Sequence, residues 1–327
     1  MNESILITGG AGYVGSELSI YLAKKGYKIT IYDLCLYGTN GLEKIKNIRI
    51  IKEDVRNIQI FKEAVSDHQA CIHLACISND PSFELNPNLG KQINFDCFED
   101  LVRSCIEKKV RKFIYASSSS VYGIKKEDRV SEDLTLEPLT DYSLYKAKCE
   151  IILNRYSSDK FITCTLRPAT VCGYSRRQRL DLVVNILTNL AYNKKEITVF
   201  GGEQLRPNIN IKDMCRAYNA ILEADEKKIN SEIFNVGFEN YSVNYLANLV
   251  AKNINYNVKI IKKSTNDPRS YKIDSEKIKK KIGFFPEYTI ENAVIDLLKA
   301  FDKKLFTDPL NNEIYYNIKR MNSIKMS

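Results

Sequence analysis

Tyr142 and Lys146 stand four residues apart in "DYSLYKAKCE", a spacing that puts both on one face of a helix. A phenol with an ordinary pKa near 10 is a poor base at neutral pH. An ammonium group one helical turn away favours the phenolate, so the pair can take a proton from an alcohol. Twenty-four residues before Tyr142 lies Ser118, the second of four serines in "YASSSSVYG" (115–123). Short serine tracts are usually loops. Here "RKFIYA" precedes the tract with a buried-strand pattern, so the serines sit where a strand ends. A hydroxyl there can hold a substrate oxygen beside the phenolate. Tyr-x-x-x-Lys alone recurs by chance; its place after a strand-end serine and a glycine motif gives it meaning.

That glycine motif is "ILITGGAGYVG", with Gly9, Gly12 and Gly15 directly after a strand pattern and opening a helix. The first glycine permits a tight turn and the second lets a pyrophosphate approach the backbone. The third packs helix on strand, and the helix start attracts negative charge. Tyr13 and Val14 lie inside the same turn. Asp33 ends the second strand eighteen residues beyond Gly15. Its carboxylate can accept from adenosine ribose hydroxyls and repels a 2′-phosphate, which favours NAD over NADP. Asp54 ends the third strand, where it either bonds an adenine edge or caps the next helix. Val55, with Leu74 and Ala75 at the end of the fourth strand, completes the expected cofactor site.

Six continuous apolar runs read as strands: 4–9, 28–33, 48–54, 70–75, 112–118 and 161–168, with shorter ones at 196–201 and 233–237. Helical patterns fall at 12–25, 58–67, 88–109, 142–157, 178–193, 212–226, 242–253, 274–281 and 290–303. Uninterrupted apolar strands alternating with helices predict an α/β fold, a Rossmann-like doubly wound parallel sheet covered on both faces. The expected division is a cofactor-binding domain over 1–173, joined by 211–240, and a smaller mixed α/β substrate part over 174–210 and 241–327. The Asn-rich "PLNNEIYYNIKRMNSIKMS" reads as a loosely held tail.

The chain of 327 residues carries nine cysteines without a C-x-x-C pair, which indicates neither a disulfide framework nor a metal site. No apolar run reaches membrane-spanning length and no leader pattern opens the chain, so a cytoplasmic protein is expected. The net charge of +9 is uneven: residues 174–327 hold 26 Lys and Arg against 18 Asp and Glu. Such a balance suits an anionic small molecule; without a basic-aromatic stripe it does not point to nucleic acid.

These motifs together resemble the extended short-chain dehydrogenase/reductases that act on nucleotide sugars. The resemblance also takes in "IHLAC" (72–76), Glu150, "LRPATVCG" (166–173), "LRPNINIKD" (205–213) and "DPRSYKID" (267–274). In that family the serine or threonine three before "VYG" touches the reacting hydroxyl, which selects Ser118. Sugar 4,6-dehydratases of the family follow it with an acidic pair; here Ser119 and Ser120 stand there. Fucose-type epimerase-reductases need a cysteine at the place of Ser120 and a histidine in the second half, and this chain's two histidines are His68 and His73. His73 is expected to pack at the end of the fourth strand. The resemblance therefore implies NAD-dependent oxidation at carbon-4 of a nucleotide-diphosphate sugar, a hexose or heptose, as 4-epimerase or 4-dehydrogenase in surface polysaccharide synthesis. It implies substrate contacts from Ser119, Ser120, Thr170, Arg179, Asn185, Arg206 and Arg269, and a homodimer paired through the helices at 88–109 and 142–157. Two rivals are an NADPH-dependent ketosugar reductase, which wants a basic residue near Asp33, and a silent NAD-binding scaffold, which predicts loss of Tyr142 or Lys146.

Overall fold

A computed structural model describes residues 3–265, 270 and 272–324. Its strands are β1 (Ser4–Thr8), β2 (Lys28–Asp33), β3 (Ile48–Lys52), β4 (Ala70–His73), β5 (Lys112–Ala116), β6 (Ile162–Pro168), β7 (Thr170–Cys172), β8 (Glu196–Phe200), β9 (Leu205–Asn210), β10 (Glu232–Val236), β11 (Glu239–Ser242) and β12 (Lys259–Lys263). Seven of them form one parallel sheet in the order β3-β2-β1-β4-β5-β6-β10. The sequence of strands turns back between β1 and β4. In a sheet of this kind a crevice opens there, beyond the carboxyl ends of the strands.

Apolar runs make these strands because both faces of the sheet are covered. In β1 the wholly buried Ile5 and Ile7 join one core cluster and Leu6 the other. The helix Tyr13–Lys24 packs on the first face, and Phe98–Glu107 packs on the second with Leu101, Val102 and Cys105 buried. A smaller C-terminal part holds the mixed three-stranded sheet β11-β9-β7 and the pair β12-β8. The short strands β7, β9, β11 and β12 have no counterpart in the apolar pattern. β9 is the central strand of its sheet, but Pro207 lies before its pairing with β7 begins at Asn208, and β12 is the lysine-rich edge strand "KIIKK".

Three predicted elements differ from what forms, the helix expected over 178–193 starting only at Val183 and leaving Arg179 on a loop. The helix expected over 88–109 is Pro87–Lys91, a π-helical turn at Gln92–Asp96, then Phe98–Glu107. The wide turn lets Asn94 point inward, where it accepts from the Ile77 amide (2.8 Å) and donates to the Ile77 carbonyl (3.0 Å). The tail read as loose is instead folded. A short turn at Glu313–Tyr315 and the helix Asn317–Ile324 follow the helix Ile290–Asp302, with Tyr315 and Asn317 buried. Asparagine makes the segment polar in sequence, yet Asn189 reaches it at Pro309 and Tyr316, and the Leu180 amide donates to the Tyr315 carbonyl. No helix among the described residues is long and apolar enough to cross a membrane.

Candidate active site

The crevice is built first by the glycine turn. Gly9 has φ +71°, and a Cβ there would lie 2.7 Å from the Ala75 nitrogen; one on Gly15 would lie 2.1 Å from the Gly9 carbonyl oxygen. Only glycine lets β1, β4 and the helix start approach so closely. Asp33 at the end of β2 holds the turn, accepting from the Ala11 amide (3.0 Å) and the Cys35 amide (2.7 Å). Burial pushes its carboxyl above the usual aspartate range, against the pull of those two amides.

All of the expected cofactor residues line this one cleft: Gly9, Gly12, Tyr13, Val14, Gly15, Asp33, Asp54, Val55, Leu74, Ala75 and Lys146. Asp54 is not the helix cap. Asn57 caps Ile58–Ala64, while Asp54 is paired with Arg56 at 2.8 Å. A Cβ-free cradle at a helix start, with a carboxylate ending β2, fits the pyrophosphate and adenosine ribose of a dinucleotide.

Tyr142 and Lys146 also line the cleft. Their helix, Asp141–Arg155, starts where it does because Thr140 and Ser143 form a reciprocal capping box, and Thr140 Oγ1 is anchored on Asp80 (2.6 Å). Lys146 is buried, donates to the Ala116 carbonyl (2.7 Å), and lies 5.9 Å from the Tyr142 ring centroid. Burial pushes the Tyr142 phenol well above the ordinary tyrosine range, with Cys76 and Asp80 adding to it; Arg179 and a hydrogen bond with Ser118 oppose the rise.

The four serines divide their work. Ser117 is the one of the four that lines the cleft, and its hydroxyl donates to the buried Glu150 carboxylate; Ser118, Ser119 and Ser120 stand behind it. Ser118 caps the turn Ser119–Tyr122 and accepts from both the amide (3.1 Å) and the hydroxyl (2.8 Å) of Ser120. With its oxygen engaged by two donors, the Ser118 proton is left to point at an acceptor such as a phenolate or substrate oxygen. Ser119 is buried in the turn. Behind them Glu150 is clamped by Arg167, Nε to Oε1 at 3.0 Å and Nη2 to Oε2 at 2.6 Å, with both side chains 3% exposed.

The expected substrate residues are scattered. Arg179 reaches the cleft, where Asp181 neutralises it (2.9 Å). Asn185 does not face the cleft: its amide is spent on the Gly173 nitrogen, the Arg179 carbonyl and the Tyr13 hydroxyl, so it shapes the loop. Thr170 opens β7 and Arg206 lies on β9, its Nη1 bonded to the Leu205 carbonyl (3.2 Å), both outside the cofactor cleft. Arg269 lies outside the described residues. The fold brings in Ser78, Arg177 and Asn317, which sequence patterns did not single out. Their meeting depends on contacts across 140 and 239 positions. Among the described residues no cluster of His, Cys, Asp and Glu is placed to hold a metal.

The NAD dependent epimerase/dehydratase family model matches residues 5–237. The chain belongs to this family. It takes NAD, as the family description states. It is 25% identical over 319 residues to a UDP-glucose 4-epimerase of Corynebacterium glutamicum, covering 92% of this chain and 96% of that one. It is 28% identical over 236 residues to a GDP-6-deoxy-D-talose 4-dehydrogenase of Aggregatibacter actinomycetemcomitans, covering 71% and 73%. A UDP-glucose 4-epimerase of Thermotoga maritima, solved with UDP-glucose, superposes with TM-score 0.85 at 25% identity, over 93% of this chain and all of that one.

Proposed function

We propose that this enzyme oxidises the carbon-4 hydroxyl of a nucleotide-diphosphate hexose or heptose, as a 4-epimerase or a 4-dehydrogenase in making surface polysaccharide sugars. Tyr142 and Lys146 meeting at the cofactor cleft, with Ser118 hydrogen-bonded to Tyr142 from just behind its wall, carry this reading. Ser118 directs its proton to the substrate oxygen. Tyr142 takes the hydroxyl proton as the alcohol becomes a ketone. Lys146, held by the Ala116 carbonyl with its Nζ 5.9 Å from the ring centroid, supplies the positive charge that a phenolate there needs against the burial that raises its pKa. NAD, when bound, supplies the acceptor for the carbon-4 hydrogen.

Dehydratases are among the relatives, but the residues that the resemblance gives to water elimination and to epimerisation beside the ketone are missing here. Ser119 and Ser120 replace the acidic pair of the dehydratases. His73 is buried against Thr8 (2.8 Å), and His68 bonds Thr30 (2.9 Å) and Ser66 (2.8 Å), so neither imidazole is a cleft acid or base. Arg179 and Arg206 remain the arginines proposed for the substrate diphosphate.

A panel of GDP-, UDP-, CDP- and dTDP-sugars, followed by absorbance of the reduced cofactor and by product analysis, tests the reading. Net cofactor reduction with a released ketone marks a 4-dehydrogenase; inverted carbon-4 without net reduction marks a 4-epimerase. Tyr142→Phe should lower kcat by about 10²–10⁴-fold with KM little changed. A Tyr142→Phe enzyme as fast as the parent would remove the assigned base.

A further inference from the structure

The loop that follows β7 is pinned to the turn that starts the first helix. Ser175 Oγ donates to the Tyr13 carbonyl (2.8 Å) and meets Ser16 Oγ (3.0 Å), while the Tyr13 hydroxyl donates to the Gly173 carbonyl (2.7 Å). Two residues past Ser175 the loop delivers Arg177 into the cofactor cleft. Arg177 is 4% exposed, and its guanidinium carbon lies 3.5 Å from the Tyr37 ring centroid. Nη2 donates to Asn317 Oδ1 (2.6 Å), but Nε has no hydrogen-bond partner. The nearby carboxylate of Asp181 is committed to Arg179 and to the Asn317 amide. Burial lowers the Arg177 pKa to about 10 and Arg179 adds to the fall, against Tyr37, which also hydrogen-bonds the guanidinium, and Asp181.

A buried guanidinium with an unused donor calls for an anion, and a planar fork suits a phosphate oxygen pair. The helix start beside Tyr13 offers backbone amides and a positive dipole end to the same cleft. We propose that Arg177 binds the pyrophosphate bridge of the dinucleotide, and that Asn317 on the C-terminal segment holds Arg177 in that position. Asn317 is fixed in turn by Ser78 (2.9 Å) and by its own amide on Asp181 (3.0 Å), and Arg320 ties the same helix to the Leu36 carbonyl (2.9 Å). The proposal rests on this cleft being the dinucleotide site. The same phosphate chemistry occurs in the sugar nucleotide, so the test separates the two sources.

Competition titration on chain stripped of cofactor would use ADP-ribose, which carries the diphosphate, and adenosine, which lacks it. Arg177→Gln should weaken ADP-ribose by on the order of 10- to 100-fold and leave adenosine within about twofold. Arg177→Lys, which keeps a cation in the buried position, should recover part of the loss. Asn317→Ala should weaken ADP-ribose in the same direction by less. Unchanged ADP-ribose affinity, or equal losses for both ligands, overturns the assignment. A loss confined to UDP or GDP binding on the NAD-loaded chain assigns Arg177 to the sugar nucleotide instead. A parent chain that binds neither NAD nor ADP-ribose would bring down the cofactor site itself.

Discussion

Glu150→Gln tests whether the serine turn is held by a buried ion pair. The carboxylate is gripped by Arg167 through two bonds of 2.6 and 3.0 Å and also accepts from Ser117, and its side chain is 3% exposed. The amide keeps the shape but removes the charge. Arg167 then stays buried with Tyr122 (2.7 Å) and the Glu132 carbonyl (3.4 Å), neither of them a carboxylate. Breaking one half of a buried pair costs about 3–5 kcal/mol. For a chain of this size that is roughly 6–10 °C in melting temperature, at about 2 °C per kcal/mol. The double variant Glu150→Leu/Arg167→Met removes both charges, and should lose less than Glu150→Gln because no ion is stranded. Scanning fluorimetry at one heating rate measures both. The turnover rate should fall in Glu150→Gln as well, since Ser117 adjoins Ser118. A single variant melting within about 1 °C of the parent, or a double variant worse than Glu150→Gln, refutes the reasoning.

His73 gives a pH signature. Burial, assisted by the charge of Lys146, lowers its pKa to about 3. An unfolded chain protonates the residue below about pH 6.5, so this contribution to stability is full above that value and drains away as pH falls toward 3, by up to roughly 5 kcal/mol. His73→Gln should flatten the acid limb of a denaturation series relative to the parent; parallel limbs between pH 7 and 4 would contradict the assignment. Pairing of chains makes a further expectation. Ile106 and Ile151, on the two helices assigned to the dimer contact, are 37% and 55% exposed in a single chain. Sedimentation should give twice the mass of one chain, and Ile151→Glu should halve it; a monomeric parent at tens of micromolar would end the dimer reading.

The cofactor half was legible because its strands are buried on both faces and its glycine turn tolerates no other residue. Gly9, Gly15 and Asp33 announce themselves by type and spacing. The helix carrying the proposed base was equally readable, since Thr140 and Ser143 fix its start ahead of Tyr142 and Lys146. The π-turn at Gln92–Asp96 was hidden: apolar periodicity cannot tell one extra residue per turn from a regular helix. Asn185 misled because an asparagine in a substrate-like loop can serve the loop itself, as its three hydrogen bonds do. Arg177 and Asn317 were beyond pattern reading, because each acquires its meaning from the other across 140 positions.

The cleft that begins at Gly9 receives Asn317 and Met321 on its wall. Residues from both ends of the numbering thus line one cleft. A fragment ending after β6 would own the glycine cradle yet lack the covering side. A ligand held there would bind only the chain with its C-terminal segment in place, so binding should oppose detachment of that segment. Loading with cofactor should therefore raise the melting temperature of the sheet and of the C-terminal segment together.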